Sequence, residues 1–222
     1  MGTRYAKILE EEGIEFYVLD QHNLGAAKRL FEHTTKAIIA TPTELHTQYV
    51  TKCIEREIPV LCEKPITKNV DELERILNHR NAEVFLHMVC NYKYAYQKAK
   101  DRYGDQLFYQ DKKTRYMFEN SGKDGLAWDC IQLIYLAEGR VQFGRSGKTW
   151  TCYINGVPIR YQDVIEGYRQ MLLDFMADRL ETPNKKRLLG AHKCAEKIQE
   201  IYAYNTSGDR NTAETEEFEV TL

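Results

Sequence analysis

The chain has 222 residues, 43% hydrophobic and 29% charged, with a formal net charge of −2, the profile of an ordinary globular protein with one large domain or two small ones. So balanced a charge gives no electrostatic case for nucleic acid or an anionic membrane as partner, and no apolar run approaches the ~20 residues that span a bilayer. Six cysteines lie scattered without a C-x-x-C pair. That pattern fits reduced thiols in a cytoplasmic protein, and no disulfide framework or metal site is expected.

Arg4–Glu12 carries Tyr5, Ala6, Ile8 and Leu9 at helical spacing, with Gly13 as the stop. Glu15–Asp20 reads as a strand and Leu24–Glu32 as a helix. Ala37–Ala40 is the next strand, and Thr43 is expected to cap a helix running to Glu57. Val60–Cys62 is a strand, Asn69-Val70-Asp71-Glu72 a capping box opening a helix through His79, and Glu83–Val89 a further strand. This alternation with short connections predicts a right-handed parallel α/β sheet over residues 1–90.

After Asn91 the rhythm changes. Tyr94–Tyr103 reads as a helix, and Trp150–Ile154 with Val157–Tyr161 as a hairpin joined at Asn155-Gly156. Helices over Asp163–Arg179 and Leu188–Tyr204 and a strand over Glu217–Leu222 complete an α+β half, residues 91–222, with a mainly antiparallel sheet.

Two short apolar strands therefore end at abrupt turns, the first at Thr41-Pro42 and the second at Glu63-Lys64-Pro65. Ligands of open α/β sheets bind outside the carboxyl ends of the strands, which makes Lys64 a candidate to face a crevice. The run Ala37-Ile38-Ile39-Ala40-Thr41-Pro42, His46 four residues on, Cys62-Glu63-Lys64-Pro65 and Asn91-Tyr92-Lys93-Tyr94 together resemble the Gfo/Idh/MocA family of NAD(P)-dependent oxidoreductases. Members of that family act mainly on sugars, cyclitols and related polyols. Tyr168–Leu180 and Ala191–Tyr204 resemble its late helices.

The resemblance implies a Rossmann-like parallel sheet followed by the α+β domain, a sugar-like small-molecule substrate and a homo-oligomer. It implies NAD or NADP as cofactor, held by Gly2, Asp20, Thr41, Pro42, His46, Glu63, Lys64, Pro65 and Asn91. Lys64 would be catalytic, beside the nicotinamide and the substrate; the other reading is a lysine snorkelling from a strand end beside Glu63. Pro65 fixes the turn, and the Lys64-Pro65 bond is expected to be cis. Asp20 stands eighteen residues after Gly2, where dinucleotide folds place the carboxylate that binds the adenosine ribose, so NAD is favoured. Asp20 also reads as a plain turn residue, and His46 either as a cofactor contact or as a helix-face histidine with a local hydrogen bond.

Two departures from the family pattern matter. Met1-Gly2 stands where the Gly-x-Gly-x-x-Gly loop should end, with no residues for a first strand, so weak NAD binding is expected of this polypeptide alone. No histidine lies between His87 and His192; Asp129 and Gln132 stand in for the family's His–Asp pair. Asp129 would then accept a proton or bind a sugar hydroxyl, or simply cap a helix. These departures support a rival reading, a non-catalytic sugar- or nucleotide-sensing or degenerate protein of the same fold that no longer binds dinucleotide.

Overall fold

The computed structural model describes residues 1–20, 22, 31–91, 93–94, 97–98, 131, 140–146, 149–154, 161–206 and 217–221. Strands β1 (Ala37–Ile39), β2 (Val60–Cys62) and β3 (Leu86–Met88) form a parallel sheet in that order, with Ala37 opposite Val60 and Val60 opposite Leu86. A parallel sheet is covered on both faces, so its strands are apolar throughout rather than alternating; Val60, Leu61 and Cys62 are all fully buried.

Helix α1 (Gly2–Glu11) turns Tyr5, Ile8 and Leu9 inward. It is followed by Gly13 at φ +66°, a left-handed conformation that costs glycine nothing because it has no Cβ. Helix α2 (His46–Glu55) follows β1, and α3 (Val70–Leu77) follows β2. The capping box of α3 is shared with a third residue. Asn69 Oδ1 accepts the Glu72 N–H at 2.9 Å, but the Glu72 carboxylate accepts from the Thr67 hydroxyl, and Thr67 Oγ1 accepts the Asn69 N–H.

Several expected elements differ. Residues 14–20 have no ladder partner among the described residues, and Tyr17 and Val18 are exposed. Of the helix expected over Leu24–Glu32, the described part begins at Phe31. The helix after β1 opens with a 3₁₀ turn, Thr43–Leu45, closed by Leu45 N–H on Pro42 C=O at 3.0 Å; Thr43 makes no side-chain cap. The strand expected from Glu83 is preceded by one helical turn, α4 (Ala82–Phe85), and β3 starts only at Leu86. Asn81 organises that turn: its C=O accepts the Phe85 N–H at 3.0 Å, while its side-chain amide donates to Ile54 C=O at 2.9 Å.

Residues 155–160 of the expected hairpin lie outside the described residues. Strand β5 (Thr149–Ile154) pairs antiparallel with β4 (Arg140–Ser146), Ser146 opposite Thr149, while Tyr161 opens helix α5 (Tyr161–Met176). Strand β6 (Glu217–Thr221) pairs on the other side of β4, giving the order β5-β4-β6.

Helices α5 and α6 (Lys185–Thr206) return to the parallel sheet. Leu188 shares one core with Val60, Leu73 and Leu86, so residues from both sides of position 90 pack together. Gly167 allows α5 its approach: a Cβ there would stand 2.3 Å from the Asn91 carbonyl oxygen. At the other end of α5, Lys36 Nζ donates to the C=O groups of Phe175 and Met176 at 2.8 Å and to Asp178 Oδ1 at 2.6 Å. A cation there satisfies carbonyls that a helix terminus leaves free.

Candidate cofactor site at the strand ends

The carboxyl ends of β1 and β2 bring the two sequence motifs side by side. His46, 1% exposed at the start of α2, lies between them: Nδ1 is 2.8 Å from Pro65 C=O and Nε2 is 2.8 Å from Thr41 C=O. A neutral imidazole carries one N–H, so each tautomer donates to one of the two turns. The ring lies between Thr41-Pro42 and Lys64-Pro65 and hydrogen-bonds whichever carbonyl faces its N–H, and the Lys64-Pro65 bond is cis.

Glu63 points inward. It is 5% exposed, its Oε1 accepts from the Tyr5 hydroxyl at 2.6 Å, and its Oε2 accepts the Lys64 N–H at 3.2 Å. Burial and the adjacent Glu63 carboxylate push the Tyr5 phenol well above its ordinary range, so it remains a donor. With Glu63 engaged inside, Lys64 is the half-buried ionisable group of the turn.

Thr41 supplies the clearest sign that a ligand belongs here. Its hydroxyl is buried at the end of β1 with no hydrogen-bond partner in the structure, a state that polar groups in folded proteins seldom keep. Gly2, the first residue of α1, stands against the same strand end, where a Cβ would meet the Ala40 Cβ at 4.0 Å. The residues present thus fit a dinucleotide, with a helix N-terminus and a hydroxyl donor beside a half-buried lysine.

Gly2, Thr41, Pro42, His46, Glu63, Lys64 and Pro65 therefore belong to one region of the molecule. Asn91 is fully buried under α5 beside Gly167. Asp20 is exposed, and its Oδ1 accepts the His22 N–H at 2.8 Å, the turn its sequence context suggests. Asp129 and Gln132 lie outside the described residues. Tyr5 was read only as part of a helix's apolar face; the available signal was that a core tyrosine must find a partner for its hydroxyl.

The better-defined cavities are elsewhere. One of about 410 Å³ lies at the amino ends of the strands, lined by Pro59, Phe85, His87, Phe175, Asp178 and Thr182. Lys64 lines neither this cavity nor the open groove along Thr182–Leu189. His87 there stacks edge-on against Phe175 at 5.4 Å, and burial lowers its pKa. Cys53, Cys62, Cys90 and Cys194 are buried thiols outside any disulfide, and burial raises Cys53 to about 11 and Cys90 to about 12, so neither of these two is a ready nucleophile. Among the described residues no cluster could hold a metal ion, and no helix is long and apolar enough to cross a membrane.

A helix-flanked parallel sheet with two proline turns and a lysine gathered at adjacent strand ends has the layout of a Rossmann-like nucleotide-binding domain. Residues 3–88 match the GFO_IDH_MocA family model, described as an oxidoreductase family with an NAD-binding Rossmann fold. That match supports a nicotinamide dinucleotide cofactor and a small-molecule substrate. No curated protein matches the chain.

Solved structures share the fold across most of the chain. A myo-inositol dehydrogenase from Corynebacterium glutamicum aligns with a TM-score of 0.56 at 13% identity, covering 91% of this chain and 93% of that one. A Gfo/Idh/MocA family oxidoreductase from Vibrio cholerae gives 0.56 at 12% identity, covering 94% and 89%. A probable dehydrogenase from Thermotoga maritima gives 0.53 at 12%, covering 90% and 86%.

Proposed function

We propose that this protein transfers hydride between a nicotinamide dinucleotide and a sugar, cyclitol or related polyol, with Lys64 as the catalytic group. The observation that supports this most is the Glu63-Lys64-Pro65 turn, held by Tyr5 on one side and His46 on the other beside the buried Thr41 hydroxyl. When bound, the nicotinamide supplies or accepts the hydride. Lys64 does the polar work: its ammonium hydrogen-bonds the reacting oxygen and stabilises the alkoxide that forms as a carbonyl is reduced, and in the reverse direction its neutral amine takes the hydroxyl proton.

Gly2 at the start of α1 offers backbone N–H groups to the pyrophosphate, and Thr41 and Pro42 lie beneath the dinucleotide. Asp20 favours NAD, since a carboxylate at the ribose repels a 2′-phosphate. Asp129 is the proposed contact to a substrate hydroxyl. A homo-oligomer and a cytoplasmic location complete the reading.

A second reading, a sugar- or nucleotide-sensing protein of this fold without turnover, is favoured by one observation: Lys64 lines neither described cavity. The experiment that separates them is an NADH titration followed by tryptophan quenching, with polyol-dependent turnover measured in parallel. Weak but saturable quenching and turnover are expected, with turnover falling about 10²–10⁴-fold in Lys64→Met at unchanged thermal stability. Binding without turnover in the unsubstituted protein would support the sensing reading, and absence of even weak NADH binding would overturn the oxidoreductase.

A further inference from the structure

We infer that Tyr5 is a positioning residue for Lys64, acting through Glu63. The Tyr5 hydroxyl, on a side chain 2% exposed, donates to Glu63 Oε1 at 2.6 Å across 58 residues of sequence. Among the described residues that carboxylate's other hydrogen bond is the longer, 3.2 Å one from the N–H of its immediate neighbour, Lys64. A carboxylate stays buried only while it is hydrogen-bonded, so Tyr5 decides whether Glu63 points inward.

The direction of Glu63 in turn fixes the peptide from which Lys64 leaves the sheet. His46 anchors the far side of the same turn at Pro65 C=O. Tyr5 is itself held from the later half of the chain. Its ring meets Tyr168 of α5 edge-on at 5.9 Å, Arg4 lies 4.7 Å over the Tyr168 ring, and Arg169 pairs with Glu11 and Glu12 of α1. A helix of the α+β half thus reaches the lysine turn through one hydroxyl.

The consequence for turnover rests on the function proposed above; the geometry does not. Tyr5→Phe keeps the ring and its packing and deletes the hydroxyl, and the amide hydrogen exchange of Lys64 is compared with that of Ala37–Ile39. Exchange at Lys64 is expected to quicken about tenfold, the loss of one hydrogen bond to a charged group, with β1 unchanged. Adding Glu63→Gln is expected to restore most of the protection, because an uncharged amide tolerates burial. Unchanged exchange at Lys64 in Tyr5→Phe, or equal quickening in β1, would overturn the inference. If the unsubstituted protein turns over, Tyr5→Phe should lower kcat with little change in KM, and a rise in KM alone would also count against it. Failure of the unsubstituted protein to bind NADH would remove the proposed function while leaving the exchange result to decide the role of Tyr5.

Discussion

The two ends of the parallel sheet carry similar side chains in different states. At the amino ends, Lys36 is spent on two helix carbonyls and Asp178, and His87 is packed against Phe175 with its Nδ1 3.3 Å from Glu181 C=O. At the carboxyl ends, the Thr41 hydroxyl has no partner in the structure and Lys64 is half-buried on a turn pinned from both sides. A cavity of about 410 Å³ lies at the amino ends, yet His87 and Asp178, which line it, are already engaged by Glu181 and Lys36. Room for a ligand and polar groups available to a ligand are separate properties, and the second is the better guide to chemistry here.

Substitutions can break or sharpen that contrast. The largest expected effect is Gly167→Ala, whose Cβ would stand 2.3 Å from the Asn91 carbonyl oxygen. Because the obstacle is backbone, α5 must shift, and a loss of about 3 kcal/mol is expected in denaturant unfolding. Acidification should act on the same scale. Burial holds His192 down at about 4, so the folded protein keeps it neutral while the unfolded chain takes up a proton below about pH 6.5. The unfolded state then binds more protons in that window. Stability from this group is complete above pH ~6.5 and is lost as pH falls to about 4, by roughly 3 kcal/mol in all. Burial lowers His87 too, which works in the same direction. Unfolding free energy measured from pH 7 to 4 should decline, and less steeply in His192→Leu.

Lys36→Met should cost about 2 kcal/mol by leaving the α5 carbonyls without their cation, while turnover stays unchanged. A large loss of turnover would erase the distinction between the two ends. Thr41→Val is the smallest change. It removes a buried hydroxyl that has no partner, so the melting temperature should hold or rise, while NADH affinity falls by about threefold to tenfold. Unchanged affinity would take Thr41 out of the site.

What the sequence made legible was local. The stops of β1 and β2 and the Asn69 cap are each set by a few adjacent residues, whereas the cis bond before Pro65 is an expectation of the family resemblance. What it hid was partnership. Glu15–Asp20 has strand-like composition, but the structure forms no strand there, and Tyr17 and Val18 are exposed. The run from Glu83 looked continuous, yet Asn81 closes a helical turn first. Thr149–Ile154 pairs with the strand before it, Arg140–Ser146, a partner the sequence pattern did not point to. In the site, the motifs marked Thr41, Glu63 and Lys64 without showing that Glu63 faces Tyr5, or that His46 spans both turns. Lys36 and α5 meet across about 140 residues, beyond the reach of any local pattern.

Hydrogen exchange with and without NADH addresses the contrast between the sheet ends most directly. Slower exchange confined to Thr41–Leu45 and Glu63–Ile66, with Lys36, Phe85–His87 and Phe175–Thr182 unaffected, is the result expected of a cofactor at the carboxyl ends. Protection centred on His87 and Phe175 instead would place the ligand in the opposite cavity and contradict the assignment of Lys64.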